Sequence, residues 1–169
     1  KESFLYTKSK VVIPKSCYIV FVIGSTWDSR NYPKEKFVQI ANVLQKQCIV
    51  IWGTIEEREK AEWMQGESEY IKVMSKLNLD ELKYVIGHAK LLIGNDTGPS
   101  YMSWALNIPC VIIFGPTPTE RLFQNHINVA IKSASKINHW NLNKKDLSIR
   151  DIRVDDVVKI SKKLLIINS

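Results

Sequence analysis

The sequence predicts a doubly wound α/β domain built on one parallel sheet. Three observations carry that prediction. Short continuous apolar runs, such as CYIVFVI at 17–23 and CVIIF at 110–114, suit strands buried on both faces. Segments with helical periodicity stand between the runs, and parallel strands need such crossovers. Each of four runs stops at a glycine (Gly24, Gly53, Gly94, Gly115), where a strand gives way to a loop.

Residues 1–16 show no sustained period and read as a tail or interdomain linker, which leaves 17–169 as the domain. Residues 17–23 are the first strand, and a polar loop follows at 24–32. Pro33 then opens a helix with Phe37, Ile40, Ala41 and Leu44 on one face. Residues 48–52 form the second strand, and the acidic pair Glu56 and Glu57 starts a helix that runs to Met64. A third short strand is expected at 70–74. Asp80 is read as the cap of a helix that turns Leu82, Val85, Ile86 and Ala89 inward. Residues 91–93 and 110–114 are strands four and five, joined through a helix-competent 101–106. A sixth strand fits 128–131. Residues 133–150 read as loop with broken helix, and 154–166 closes the chain as a helix.

At 169 residues the chain fits one domain with a sizeable core. With 45% hydrophobic and 24% charged residues it reads as soluble and globular. No apolar run reaches the roughly 20 residues a membrane helix needs. The first 17 residues lack the apolar core of a signal peptide. The chain starts at Lys1 without a methionine, which suggests a piece of something longer. Cys17, Cys48 and Cys110 have no metal-ligand spacing and are expected as free thiols in a reducing compartment.

The net charge of +7 is uneven, with basic flanks and an acidic middle. No dense basic stripe interleaved with aromatics is present, so a nucleic-acid partner is not expected. An anionic membrane surface or a phosphorylated substrate accounts for the charge at least as well.

Chemistry concentrates in 91–117, LLIGNDTGPSYMSWALNIPCVIIFGPT. Pro99 sits in the first helical turn, where its missing N–H leaves no bond unmade. Gly98 allows close approach to the backbone, and the helix start favours an anion. An ordinary capped crossover, with Asp96 or Thr97 as N-cap, fits the same residues equally well. Three loops should meet at the carboxyl edge of the sheet. The loop at 24–32 offers the hydroxyls of Ser25 and Thr26 and the cation Arg30; that at 53–57 offers carboxylates; that at 94–100 offers backbone donors and Asp96. Hydroxyls, a guanidinium and a helix start suit a diphosphate, and a carboxylate suits ribose hydroxyls. The dinucleotide fingerprint, the P-loop and the hydrolase elbow are all missing.

Ser25-Thr26 with Arg30 and Pro33, Trp52-Gly53 followed by Glu57, and Gly94 to Gly98 leading to Phe114-Gly115-Pro116-Thr117 together resemble glycosyltransferase family 9, the lipopolysaccharide heptosyltransferases. Within that family the heptosyltransferase I branch is the nearer likeness. The resemblance implies the carboxyl-terminal, donor-binding half of a glycosyltransferase B-type fold. It implies an inverting transfer of heptose from ADP-heptose to a Kdo-bearing lipid A inner core, at the cytoplasmic face of the inner membrane, with neither metal nor cofactor. Ser25, Thr26, Arg30, Thr97 and Gly98 would hold the diphosphate. Glu57 and the backbone near Leu77 would take ribose and adenine, and Asp96 a heptose hydroxyl. Tyr101 and Glu56 stand beside them as further candidates. The family has Lys at the position of Arg30 and His at that of Tyr101, and its catalytic aspartate lies in the missing amino-terminal half.

Plainer readings apply to other residues. Trp52 and Trp104 are expected in the core, and Trp27 is evenly balanced between packing and ligand. His88 is expected to be structural, His126 and His139 match no metal site, and the lysines at 159–163 form a solvated helix face. Two other functions remain open: a sugar-nucleotide epimerase of the same fold, and a non-catalytic nucleotide-binding or receiver-like regulatory module. Asp96 stands alone at its strand end, which argues against a receiver.

Overall fold

A computed structural model describes residues 11–167. Among the described residues six strands make one sheet: β1 (Ile19–Val22), β2 (Cys48–Ile51), β3 (Ile71–Val73), β4 (Leu91–Asn95), β5 (Cys110–Phe114) and β6 (Asn128–Lys132). Five described α-helices separate or follow them: α1 (Lys34–Leu44), α2 (Ile55–Glu67), α3 (Leu79–Gly87), α4 (Gly98–Ala105) and α5 (Val154–Ile167). The strand order is β3-β2-β1-β4-β5-β6, and every pair is parallel. The expected doubly wound sheet is therefore present. Its direction of travel reverses between β1 and β4, and ligands in such sheets lie outside the carboxyl ends at that point.

Successive side chains on a strand face opposite ways, so each continuous apolar run serves two cores. Ile19, Phe21 and Ile23 pack with Phe37 of α1, Met64 of α2 and Leu164 of α5. Val20 and Val22 pack on the other face with Val85 and Ile86 of α3, backed by Met102 and Leu106. Phe37 is fully buried against the rings of Phe21 and Tyr32. Truncating such a side chain to alanine costs about 3–5 kcal/mol.

Two details depart from the sequence reading. The cap of α3 is Asn78, not Asp80: the Asn78 side chain accepts from Glu81 N–H while the Glu81 carboxylate accepts from Asn78 N–H. Two otherwise unpaired donors are thereby satisfied, and Asp80 only adds charge to the first turn. Trp104 is exposed instead of buried, because α4 turns Ser100 and Ser103 to the sheet and packs through Tyr101 and Met102. Of the expected tail, residues 1–10 lie outside the described residues. Val11 and Ile13 pack on the second core.

Other expectations hold. Cys48 and Cys110 are buried free thiols and Cys17 an exposed one. Lys159, Lys162 and Lys163 are solvated. His88 sits at the end of α3 against the Tyr84 ring, with Nδ1 2.8 Å from Tyr84 O. No described helix is long and apolar enough to cross a membrane.

Candidate functional site

Strands β2, β1 and β4 end level with one another, since Val22 pairs with Ile51 on one side and with Gly94 on the other. Their three loops therefore converge. Between them lies a cavity of about 270 Å³ whose walls include Gly24, Trp52, Gly53, Glu57, Leu77 and Thr97. Trp52, expected in the core, is half-buried in this wall, and its Nε1 donates to Met74 O at 2.7 Å.

Glu57 belongs to the start of α2. Thr54 caps the helix by accepting from Glu57 N–H at 3.2 Å, and Glu57 Oε2 accepts from Gly53 N–H at 2.7 Å and Thr54 N–H at 3.4 Å. Its other oxygen presses against Gly24, where a β-carbon would collide with the carboxylate. One face of Glu57 is thus committed to its own helix and the other to the cavity. Glu56 is exposed and does not line the cavity. Its own backbone N–H, then the Thr54 side chain, hold its carboxyl below the usual range.

Asp96 is different in kind. It is buried, and each carboxylate oxygen has named partners. Oδ1 accepts from Tyr101 Oη at 2.6 Å; Oδ2 accepts from Thr117 Oγ1 at 2.8 Å and pairs with Arg30 Nη1 at 3.4 Å. It does not cap α4: Thr97 holds the N-cap position, and its hydroxyl makes no capping bond. Tyr101 stays protonated as a donor, because burial first, and then the bond and charge of Asp96, push its phenol above the ordinary range.

Arg30 lies on a single 3-10 turn (Asp28–Arg30) with its guanidinium 4.6 Å from the Trp27 ring centroid. Lys144 reaches the same ring at 4.5 Å, from the stretch read as irregular loop. Trp27 is thus a cation platform. Ser25 Oγ donates to Asp96 O at 3.2 Å, and Thr26 is exposed beside it. Gly98 opens α4 with free space before it, since a β-carbon there would meet nothing within 4 Å.

The structure therefore brings the nominated residues together in two groups. Glu57, Leu77 and Thr97 line the cavity, while Ser25, Arg30 and Tyr101 gather about Asp96. Gly98 joins them at the start of α4. Among the described residues no group of three His, Cys, Asp or Glu side chains could hold a metal ion.

Two residues given no role from sequence prove central. Thr117 supplies the hydroxyl on Asp96, and its only sequence signal was a place in the F-G-P-T element. Asn95 ends β4 fully buried, accepts from Tyr32 N–H at 3.1 Å and donates to Ile23 O at 2.7 Å. It stitches the β1 loop to β4. A polar side chain closing an apolar strand was the available signal.

The family model for glycosyltransferase family 9 (heptosyltransferase) matches residues 3–149. The chain belongs to glycosyltransferase family 9. Lipopolysaccharide heptosyltransferase 1 of Campylobacter coli is 34% identical over 157 residues, covering 86% of this chain and 46% of that protein. The Escherichia coli K12 protein of the same description is 30% identical over 129 residues, covering 75% and 40%. The chain thus spans about half the length of the curated relatives it matches. The solved structure of E. coli heptosyltransferase WaaC with ADP-2-deoxy-2-fluoro heptose aligns at a TM-score of 0.72 with 22% identity, over 89% of this chain and 45% of that one. UDP-GlcNAc 2-epimerase of Methanocaldococcus jannaschii aligns at 0.62 with 13% identity, over 91% and 40%. Both likenesses concern the fold; the sequence match to family 9 decides between them.

Proposed function

We propose that this chain is the donor-binding half of an inverting heptosyltransferase, with ADP-heptose as donor and the Kdo-lipid A inner core as acceptor. One observation carries the reading: in a family 9 chain, the switch-point cavity is walled by Glu57, Leu77 and Thr97 and adjoins the Arg30 cluster. In this reading 17–169 is the nucleotide-sugar domain, and 1–16 links it to an amino-terminal acceptor domain that supplies the base.

Adenosine would occupy the cavity, with the Glu57 carboxylate on the ribose and the Leu77 side on the base. The diphosphate would run past Ser25 and Thr26 to Arg30 and the start of α4 at Thr97 and Gly98. The acceptor hydroxyl attacks the anomeric carbon, the bond to the diphosphate breaks with its electron pair, and ADP leaves. Cationic Arg30 and the helix start stabilise the charge that develops on the leaving group. Asp96 would face a heptose hydroxyl, and the basic flanks would dock on an anionic inner leaflet.

Calorimetry with ADP, UDP and GDP tests the reading. ADP is expected to bind tightest; a preference for UDP or GDP, or equal or absent binding of all three, would overturn the reading. The chain alone is expected to transfer no heptose to a Kdo-lipid acceptor.

A further inference from the structure

Asp96 Oδ2 has two suitors of unlike chemistry. The neutral Thr117 hydroxyl sits at 2.8 Å and the Arg30 guanidinium at 3.4 Å. A charged pair normally closes to less than about 3.0 Å, so the hydroxyl holds the better bond and Arg30 is loosely engaged. Oδ1 is already held by Tyr101 at 2.6 Å.

The energetic consequence concerns Arg30. Taking one partner from a buried ion pair is strongly unfavourable, because the remaining charge is left uncompensated. Here the buried carboxylate keeps two hydroxyl donors when the guanidinium leaves, one on each oxygen. We propose that Thr117 and Tyr101 are positioning residues that hold the Asp96 carboxylate and so free Arg30 to turn from Asp96 to the diphosphate of a bound nucleotide. The F-G-P-T element thereby has a role: the loop after β5 brings Thr117 against the loop after β4. The proposal rests on the donor-site reading above.

The test is a double-mutant cycle on the 169-residue chain, read by calorimetry with ADP. Thr117→Val removes the donor and leaves Asp96 more dependent on Arg30. ADP affinity is expected to fall roughly tenfold, the scale of one hydrogen bond to a charged group. Thr117→Ser keeps the hydroxyl and is expected to bind as the unaltered chain does. In an Asp96→Asn background the carboxylate charge that retains Arg30 is gone, and Thr117→Val should then change ADP affinity less than twofold.

Equal affinity of Thr117→Val and the unaltered chain overturns the proposal, as does the same loss in both backgrounds, which would mark simple packing. If Thr117→Val does not fold, Tyr101→Phe removes the other donor and must show the same dependence on the Asp96 charge. An unaltered chain that binds no ADP removes the donor-site reading itself, and this inference with it.

Discussion

Two carboxylates lie at the same edge of the sheet, and they are held in opposite ways. Glu57 is half-buried and bonded to backbone N–H groups three and four residues away, within the start of its own helix. Asp96 is buried and bonded to side chains 66, 5 and 21 residues away. The first is a local device that any helix of this sequence would form. The second exists only once β1, β4 and β5 lie side by side. Removing Glu57 loosens a helix start; removing Asp96 takes the shared acceptor from a cation and two hydroxyls.

The sharpest break of that contrast is Asp96→Ala against Glu57→Ala. Breaking a buried pair by deleting one member costs about 3–5 kcal/mol, and Arg30 is partly exposed, so Asp96→Ala is expected at the low end of that range, whereas losing a cap costs roughly 1 kcal/mol. Urea unfolding of both variants measures the difference. Equal losses would show that the Asp96 cluster is no more than a surface feature.

A glycine beside Glu57 and another beside the turn that carries Arg30 give a smaller version of the same test. A β-carbon at Gly115 would run into the backbone oxygen of Ser29, next to Arg30. That obstacle cannot swing away, so Gly115→Ala is expected to cost about 1–3 kcal/mol as overpacking. A β-carbon at Gly24 would meet the end of the Glu57 side chain, which can rotate aside. Gly24→Ala should therefore cost no more than the lost capping bond. A Gly24→Ala variant less stable than Gly115→Ala would reverse the assignment of rigid and yielding sides.

Alkaline pH separates them further, because Asp96 relies on a titrating donor and Glu57 on peptide N–H. The folded-state pKa of Tyr101 is raised from 10.0 by burial and by Asp96. Above pH 10 the unfolded chain releases a proton that the folded chain keeps, so the Tyr101 contribution is full below that pH and falls as pH rises past it, on top of a fall from about pH 9 due to the buried thiols of Cys48 and Cys110. Tyr18 and Tyr32, raised mainly by burial, add to the same fall. Tyr101→Phe is thus expected to flatten the pH dependence above 10 while Glu57→Gln leaves it unchanged. Identical slopes for the two variants would mean that Asp96 does not hold the phenol.

Legibility from sequence follows the same division. The strands and their order of appearance are readable because a strand buried on both faces is a run of apolar residues. The start of α3 slips by two residues because Asn78 and Asp80 are both capping types, and only Glu81, three residues after Asn78, decides. The exposure of Trp104 was hidden because α4 is eight residues long, too short for its apolar face to be read. Glu57 as a helix-start carboxylate was visible in sequence. The partners of Asp96 were not, since no local pattern records that Thr117 returns to it across 21 residues.

The smallest expected change in stability comes from Glu57→Gln, and for that reason it isolates the proposed ribose contact. Glutamine serves at this capping-box position as well as glutamate does, so unfolding should shift by no more than about 0.5 kcal/mol. The amide oxygen can still accept from Gly53 N–H, and the bulk against Gly24 is preserved. What changes is the atom that faces the cavity: a charged acceptor oxygen becomes an NH2 group, which only donates. A hydrogen bond to a charged group contributes about 1.5–3 kcal/mol, so ADP affinity should fall at least on the order of tenfold if a ribose hydroxyl donates to the carboxylate oxygen. 2′-deoxy-ADP has already lost one such hydroxyl and should be weakened less by the substitution than ADP is. Calorimetry of both nucleotides on both proteins gives the comparison. Equal losses for ADP and 2′-deoxy-ADP would place any Glu57 contact away from the 2′-hydroxyl. No loss for either would leave Glu57 as a helix cap alone.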